Sequence, residues 1–336
     1  MHKISKAQLR LGSLSDMART LSGSEYNTFS GIVKKEHNPL NILNLFSYQI
    51  RFFALFWLIP LLLTAAISKT THAAEPPSVE QINEDIQTFQ RFFQSRFPSL
   101  SKSDFSDGVN ALPQYAHRVK SWQILSRAPA YTRELEQAQV FWQKPLHRGR
   151  SLMSCFDQMP AANLYPYFDG RSVRTIEADI NSCLDKNRQS KLDPTGAQMA
   201  KLVAVYKSQA QGQPMAVSFS DEKMREVYAR GKQFFWAKRG QMDFSCASCH
   251  VHNAGNRMRS DVLSPALGQT SAFPVYRAKW ALNGQPWGTV HRQYASCNRQ
   301  AGAVPFPPQS PQYIALEVYQ AIMNTGIPLK SPSIRQ

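Results

Sequence analysis

No stretch of this sequence alternates apolar and polar residues over the length of a strand, no cluster of Lys and Arg is interleaved with aromatics, and cysteine occurs only five times in 336 residues. The first absence argues against a sheet protein and leaves a mainly α chain. The second removes nucleic acid as a partner. Long apolar runs are scarce too: the one sustained run, Phe52 to Ile67, is short of a comfortable bilayer span and is interrupted by Pro60. Small residues follow it up to Ala73 and Ala74, then Glu75-Pro76-Pro77. That order reads as the apolar core and cleavage site of a leader, with cleavage near Ala73 or Ala74 and export to the periplasm.

Residues 1–74 are therefore set aside as N-terminal extension and signal peptide. The remainder carries 31 basic against 20 acidic residues. An excess of that sign attracts anionic substrates and acidic proteins over distance. In an oxidising compartment an odd number of cysteines leaves at least one without an intramolecular partner. The five are Cys155, Cys183, Cys246, Cys249 and Cys297.

Helical periodicity recurs along the exported part. Ile82, Ile86, Phe89 and Phe93 mark a helix over 79–97 closed by Pro98, and Tyr131, Leu135, Ala138 and Phe141 mark one over 132–143. A third is expected from Asp193-Pro194 to Ser208, with Asp193 as its cap. Gln209 to Pro214 breaks the pattern and serves as the boundary between residues 75–212 and 213–336. A fourth helix begins after Ser220 as cap and runs toward Arg239-Gly240, and a last one carries Tyr313, Leu316, Tyr319 and Met323 up to Gly326.

Cys246-Ala247-Ser248-Cys249-His250 is a C-x-x-C-H motif. Two thiols one turn apart add to the two vinyl groups of a haem, and the adjoining imidazole reaches its iron. A zinc site would need two further ligands, and a thioredoxin-type pair a βαβ setting; neither is visible. The expected cofactor is one covalently bound haem c, with Cys246 and Cys249 as anchors and His250 as axial ligand. His252, outside the motif, is read as a surface residue. The opposite iron position has four candidates: Met258, close in sequence to His250; Met323, on the apolar stripe of the last helix; His291; and Cys297. A thiolate from Cys297 would be a soft iron ligand and a nucleophile beside a one-electron acceptor. The alternative is an electron-transfer cytochrome in which Cys297 is structural and a Met or His closes the iron.

The residues from about 220 to 335 resemble the SoxA family, the haem-bearing subunits of thiosulfate-oxidising cytochromes. The resemblance rests on Arg239-Gly240-Gln241 ahead of C-x-x-C-H, Ala254-Gly255, Phe273-Pro274-Val275-Tyr276-Arg277 with Trp280, Gly288-Thr289, Cys297-Asn298, and Leu316 to Tyr319 with Gly326 and Pro328. It implies two cytochrome c-like domains, the first without haem and the second of class I type, and an L-cysteine S-thiosulfotransferase. Such an enzyme joins thiosulfate oxidatively to a cysteine of a SoxYZ-like carrier, in a heterodimer with a small SoxX-like cytochrome. Cys297 would bind iron, carry a persulfide and react. Many members have a second C-x-x-C-H, whereas here Cys155-Phe156-Asp157-Gln158-Met159 lacks its second Cys and His. The single-haem branch instead joins two cysteines, a role that Cys155 and Cys183 fit. The family also has Arg four residues before the reactive cysteine; this chain has Gln293 there, with Arg292 beside it and Arg299 beyond as possible substitutes in binding substrate.

Overall fold

A reciprocal cap opens the first helix: Ser78 Oγ accepts from the Gln81 amide at 3.2 Å and Gln81 Oε1 accepts from the Ser78 amide at 2.7 Å. Two of the donors that a helix start leaves orphaned are so satisfied. This helix, α1 (Val79–Arg96), buries Ile82, Ile86, Phe89 and Phe93, the face its periodicity predicts. It belongs to a computed structural model that describes residues 75–335. The leader and its cleavage site near Ala73 and Ala74 lie outside the described residues.

Ahead of residue 212 come α2 (Ala116–Arg127), α3 (Thr132–Gln143), the short α4 (Leu152–Phe156), a hairpin of β1 (Tyr167–Phe168) and β2 (Val173–Arg174), then α5 (Ile176–Lys186) and α6 (Ala197–Ser208). The last of these starts later than its sequence predicts, because Asp193 Oδ1 is taken by the Thr195 amide and hydroxyl, both at 2.9 Å. That closes a local turn in place of a cap. Trp142 of α3 stacks on Tyr206 of α6 at 5.6 Å, with Phe156 against both rings. Below them α4 and α5 are joined covalently by a Cys155–Cys183 disulfide, whose Cα atoms are 6.1 Å apart.

The later half begins with α7 (Glu222–Trp236), capped by Asp221 rather than Ser220: Asp221 Oδ1 accepts from the Lys223 amide, while Ser220 Oγ bonds Ser218 Oγ. The C-x-x-C-H turn and the small hairpin of β3 (Arg257–Met258) and β4 (Asp261–Val262) follow. Next come β5 (Val275–Arg277), α8 (Ala278–Ala281), β6 (Trp287–Gly288), α9 (Val290–Gln300), α10 (Pro311–Met323) and β7 (Ser333–Arg335). β5 is the centre of a three-stranded sheet, antiparallel to β6 and parallel to β7, with Arg277 and Arg335 as register partners. No strand among the described residues exceeds three residues, too few for alternation to register in the sequence.

Helices α7 and α10 cross in direct contact at Gly231, where a Cβ would lie 1.9 Å from the Ala315 carbonyl oxygen. α1 closes over this pair: Asp85 accepts from Tyr228 Oη at 2.7 Å and pairs with Lys232, and Gln90 donates to the Thr325 carbonyl. Phe89 packs on Phe235. The segment 209–214 is held by the chain's end, through Gly212 N to Leu329 O and Leu329 N to Gln213 O, each 2.8 Å. Among the described residues no helix is long and apolar enough to cross a membrane.

Candidate haem and thiol site

Arg239 and Phe244 pair backbone to backbone across a tight turn at Gly240. Gly240 has φ of 72°, and a Cβ there would lie 2.3 Å from the Ala301 carbonyl oxygen. Only glycine lets the C-x-x-C-H segment approach the end of α9 this closely. Ser245 and Ser248 then cap each other, amide to hydroxyl, both at 3.0 Å. The following residues, Ser248–His252, make a wide π-type turn, a form common at functional sites.

Cys246, Cys249 and His250 all face one pocket, partly open to solvent, whose other walls include Leu263, Phe273, Tyr294, Leu316 and Cys297. His250 Nδ1 lies 2.8 Å from the Ser264 carbonyl oxygen. Because a carbonyl can only accept, that nitrogen carries the proton and Nε2 keeps its lone pair. Burial also holds the imidazole below its ordinary range, opposing protonation. Cys246 is pushed up to about 11 by burial, and Cys249 is raised for the same reason. Both are therefore protonated thiols, and neither is bridged. A mostly apolar chamber, two free thiols one turn apart and an imidazole with an open nitrogen fit a covalent haem.

The cavity sorts the candidates for the far side of the iron. Met258 lines it together with Cys297. Met323 lies in the core, 1% exposed, and its carbonyl accepts from Gln90. His291 shares α9 with Cys297 but is turned elsewhere: its Nε2 lies 3.0 Å from Glu317 Oε2 and its Nδ1 accepts from the Gln309 amide. His252 is exposed, its ring edge-on to Trp236 at 5.9 Å.

Gln293 and Cys297 are one turn apart on α9, hence on one face. Gln293 Nε2 donates to Cys297 Sγ at 3.2 Å, and Gln293 Oε1 accepts from Arg277 Nη1 at 3.2 Å. Guanidinium only donates, so the amide is oriented with its NH₂ toward sulfur. Burial pushes the Cys297 thiol up, while this bond and the charges of Arg277 and Lys279 pull it back. Arg292 does not reach the sulfur: its guanidinium covers Trp280 at 4.3 Å and donates to the carbonyls of Gln285 and Trp287. Arg299 is exposed at the helix end and lines neither this cavity nor the one beside it.

That second pocket, open to solvent, shares Cys297, His250 and Gln293 with the first and adds Arg118, Arg277, Lys279 and Arg335. Arg277 stands twenty positions before Cys297, and only the fold brings it to Gln293, so no local spacing ties it to the thiol. The available signal was Arg277 itself, a basic residue closing the Pro-Val-Tyr-Arg segment whose last three residues form β5.

A family model described as SoxA/TsdA, cytochrome c domain, matches residues 137–215, from α3 through α6, the half that carries the disulfide. Three curated relatives are described as L-cysteine S-thiosulfotransferase subunit SoxA. The protein of Chlorobaculum thiosulfatiphilum is 38% identical over 82% of this chain and 95% of its own, and that of Chlorobaculum tepidum 36% over 81% and 96%. The Allochromatium vinosum protein is 32% identical over 82% and 98%. The crystal structure of SoxXA from P. pantotrophus superposes with a TM-score of 0.58 at 24% identity, over 65% of this chain and 84% of that one, a likeness of fold. A helix-rich chain with a cytochrome c domain, similar to these relatives over nearly their whole length, belongs to the SoxA family.

Proposed function

We propose that this chain is the catalytic cytochrome c subunit of an L-cysteine S-thiosulfotransferase, working with a SoxX-like cytochrome on thiosulfate and a SoxYZ-like carrier, with Cys297 as the reacting sulfur. One observation carries the reading: Cys297 faces the cavity of Cys246, Cys249 and His250 on one side and a chamber rich in basic residues on the other. An electron-accepting group and an anionic sulfur compound can thus meet at one thiol.

The net reaction forms an S–S bond between the carrier's cysteine sulfur and the outer sulfur of thiosulfate, releasing the thiol proton and two electrons. Cys246 and Cys249 would hold haem c with His250 as an iron ligand, and the haem would supply a one-electron acceptor that passes the two electrons singly to the partner cytochrome. Gln293 stabilises the thiolate of Cys297 through its amide, and Arg277 both orients that amide and adds positive charge. The apolar walls on the side of Cys246 and Cys249 lower the local dielectric at the sulfur, which strengthens both effects. A persulfide on Cys297 fits the same surroundings, since its outer sulfur bears the negative charge.

The number of haems, one, follows from the single C-x-x-C-H, and the disulfide stands where a second motif is incomplete. The disulfide and the leader together favour a periplasmic protein. Residues 75–212 and 213–336 are taken as the haem-less and haem-binding cytochrome c-like domains, with α1 packed on the helices of the second.

Replacing Cys297 with Ala tests the reading: conjugation should stop while haem stays attached. Retained conjugation would refute the role of Cys297. A methionine-type low-spin spectrum, unchanged by that substitution, would instead favour an electron-transfer cytochrome closed by Met258, which also lines the cavity.

A further inference from the structure

A group of ionisable side chains gathers away from the thiols, behind the wall of the first pocket. Glu177 of α5 is 4% exposed, and Lys207 of α6 and Glu317 of α10 line the same small pocket with it. His291 of α9 closes the group, 1% exposed, with its Nε2 3.0 Å from Glu317 Oε2. Phe273 and Val290 line both this small pocket and the one of Cys246, Cys249 and His250, so the two share a wall. None of these ionisable groups has a part in the chemistry of Cys297.

Hydrogen bonds fix what each group can carry. His291 Nδ1 accepts from the Gln309 amide at 3.0 Å, so the ring's one hydrogen sits on Nε2, beside Glu317. Lys207 donates to the Phe273 carbonyl at 2.9 Å, which holds the ammonium against the shared wall. The ionisable groups facing Glu177 are thus Glu317, His291 and Lys207, and the rings of Tyr294 and Tyr313 flank the imidazole at 5.7 and 5.6 Å. Two carboxyls share one ammonium in the small pocket, so full ionisation leaves a negative charge in excess. A single proton, held by the pair rather than by either residue, removes it. Burial first, and then the Glu317 charge, push Glu177 up to about 7, against weaker pulls that include Lys207. Tyr294, which lines the first pocket, feels both places: burial raises its phenol most, and Glu317, Cys246, Cys297 and Glu177 all act in the same direction.

We infer that Glu177, together with Glu317 and Lys207, is a proton site linked to the haem, which takes up one proton when an electron enters the haem and releases it when that electron leaves. An added electron makes the neighbouring pocket more negative, and across a shared wall of low dielectric that change disfavours a carboxylate. The electron comes from the reductant and the proton from water, to which Glu317 is 13% open. Charge therefore balances in both directions. The inference rests on haem attachment in the proposed function and not on Cys297 as the reacting sulfur.

The test uses the haem-loaded protein, Glu177→Gln and Glu317→Gln, with Asp185→Asn at the exposed end of α5 as control for net charge. The midpoint potential is measured against pH, and reduced-minus-oxidised infrared difference spectra are recorded in H2O and D2O. The wild-type potential should fall with rising pH around neutrality, because reduction tightens the site's hold on its proton by about threefold or more. A carboxylic acid C=O band should appear on reduction and shift in D2O. Glu177→Gln should lose that band and that part of the slope, while the control keeps both. Glu317→Gln removes the charge that raises Glu177, so the sloping window should move to lower pH, which gives a reading should Glu177→Gln misfold. A band and slope unchanged in Glu177→Gln, or a window unmoved in Glu317→Gln, overturn the inference. A protein that shows the Glu177 band yet never conjugates thiosulfate would sink the proposed function and leave this proton site standing. One that conjugates thiosulfate with no carboxyl band on reduction would do the reverse.

Discussion

The two halves of the chain each hold a pair of cysteines, and they use them in opposite ways. In the earlier half Cys155 and Cys183 sit on separate helices, α4 and α5, and close on each other. Asn187 completes that packing, its amide 3.8 Å from both sulfurs and 2.8 Å from the Cys183 carbonyl oxygen. In the later half Cys246 and Cys249 lie one turn apart on the same segment, and a cavity separates them from any partner. The difference teaches that fate follows backbone placement: thiols brought face to face become a strut, and thiols set around an open chamber remain available for chemistry.

The sharpest way to break that comparison is at the open thiols. Cys297→Ala should lower the conjugation rate at least about a thousandfold, as removal of a reacting nucleophile does, while the attached haem persists by mass spectrometry. Substituting Cys246 and Cys249 together by Ala should abolish covalent attachment, so that haem is lost on denaturation in acid acetone. If haem remained bound to the chain, the assignment of these two thiols would fall. At the closed pair the effect should be on stability alone. Cys155→Ser with Cys183→Ser opens a loop spanning a 28-residue separation, and chain entropy puts the loss at about 3–4 kcal/mol. Denaturant midpoints should fall while haem content and spectrum stay constant; a change in the spectrum would mean that the bridge also shapes the haem chamber.

The open half was the more legible of the two in sequence, because its chemistry is written in adjacent residues. C-x-x-C-H is itself the signature of a covalent haem, and α10 appears as an apolar periodicity at the position it occupies, while in the earlier half only the helices α1 and α3 are as plain. Apart from the Cys155–Cys183 bridge, which the family resemblance implied, what the sequence does not show depends on distant pairing. The sheet that brings Arg277 beside Arg335 is built from strands of two and three residues, and its parallel pair joins positions 277 and 335. No periodicity survives at that length, and the register is fixed by the tertiary fold. The same holds for α1, whose partners Tyr228, Lys232 and Thr325 lie far along the chain. Caps failed locally for another reason: at Asp193 and Ser220 a neighbouring donor or hydroxyl competes for the same side chain, and sequence alone does not say which contact wins.

The smallest expected effect lies at Gln293, the position at which the resemblance implies an arginine. Its amide donates to Cys297 and is aimed by Arg277, so it favours the thiolate over the thiol. Gln293→Leu keeps similar bulk and removes that donor. Burial already raises the Cys297 thiol, and without the opposing hydrogen bond it rises further. If Cys297 binds the iron as its thiolate, loss of that ligand on acidification should begin at higher pH in the variant, by about one pH unit for a bond to a charged acceptor worth roughly 1.5 kcal/mol. Gln293→Arg should move the transition the other way, since a guanidinium holds the anion more strongly than an amide. Spectrophotometric pH titration of the haem-loaded proteins reads both shifts. If Gln293→Leu left the titration unmoved while Arg277→Gln shifted it upward, the charge of Arg277 would act on the sulfur directly through space, and the amide between them would be a spacer.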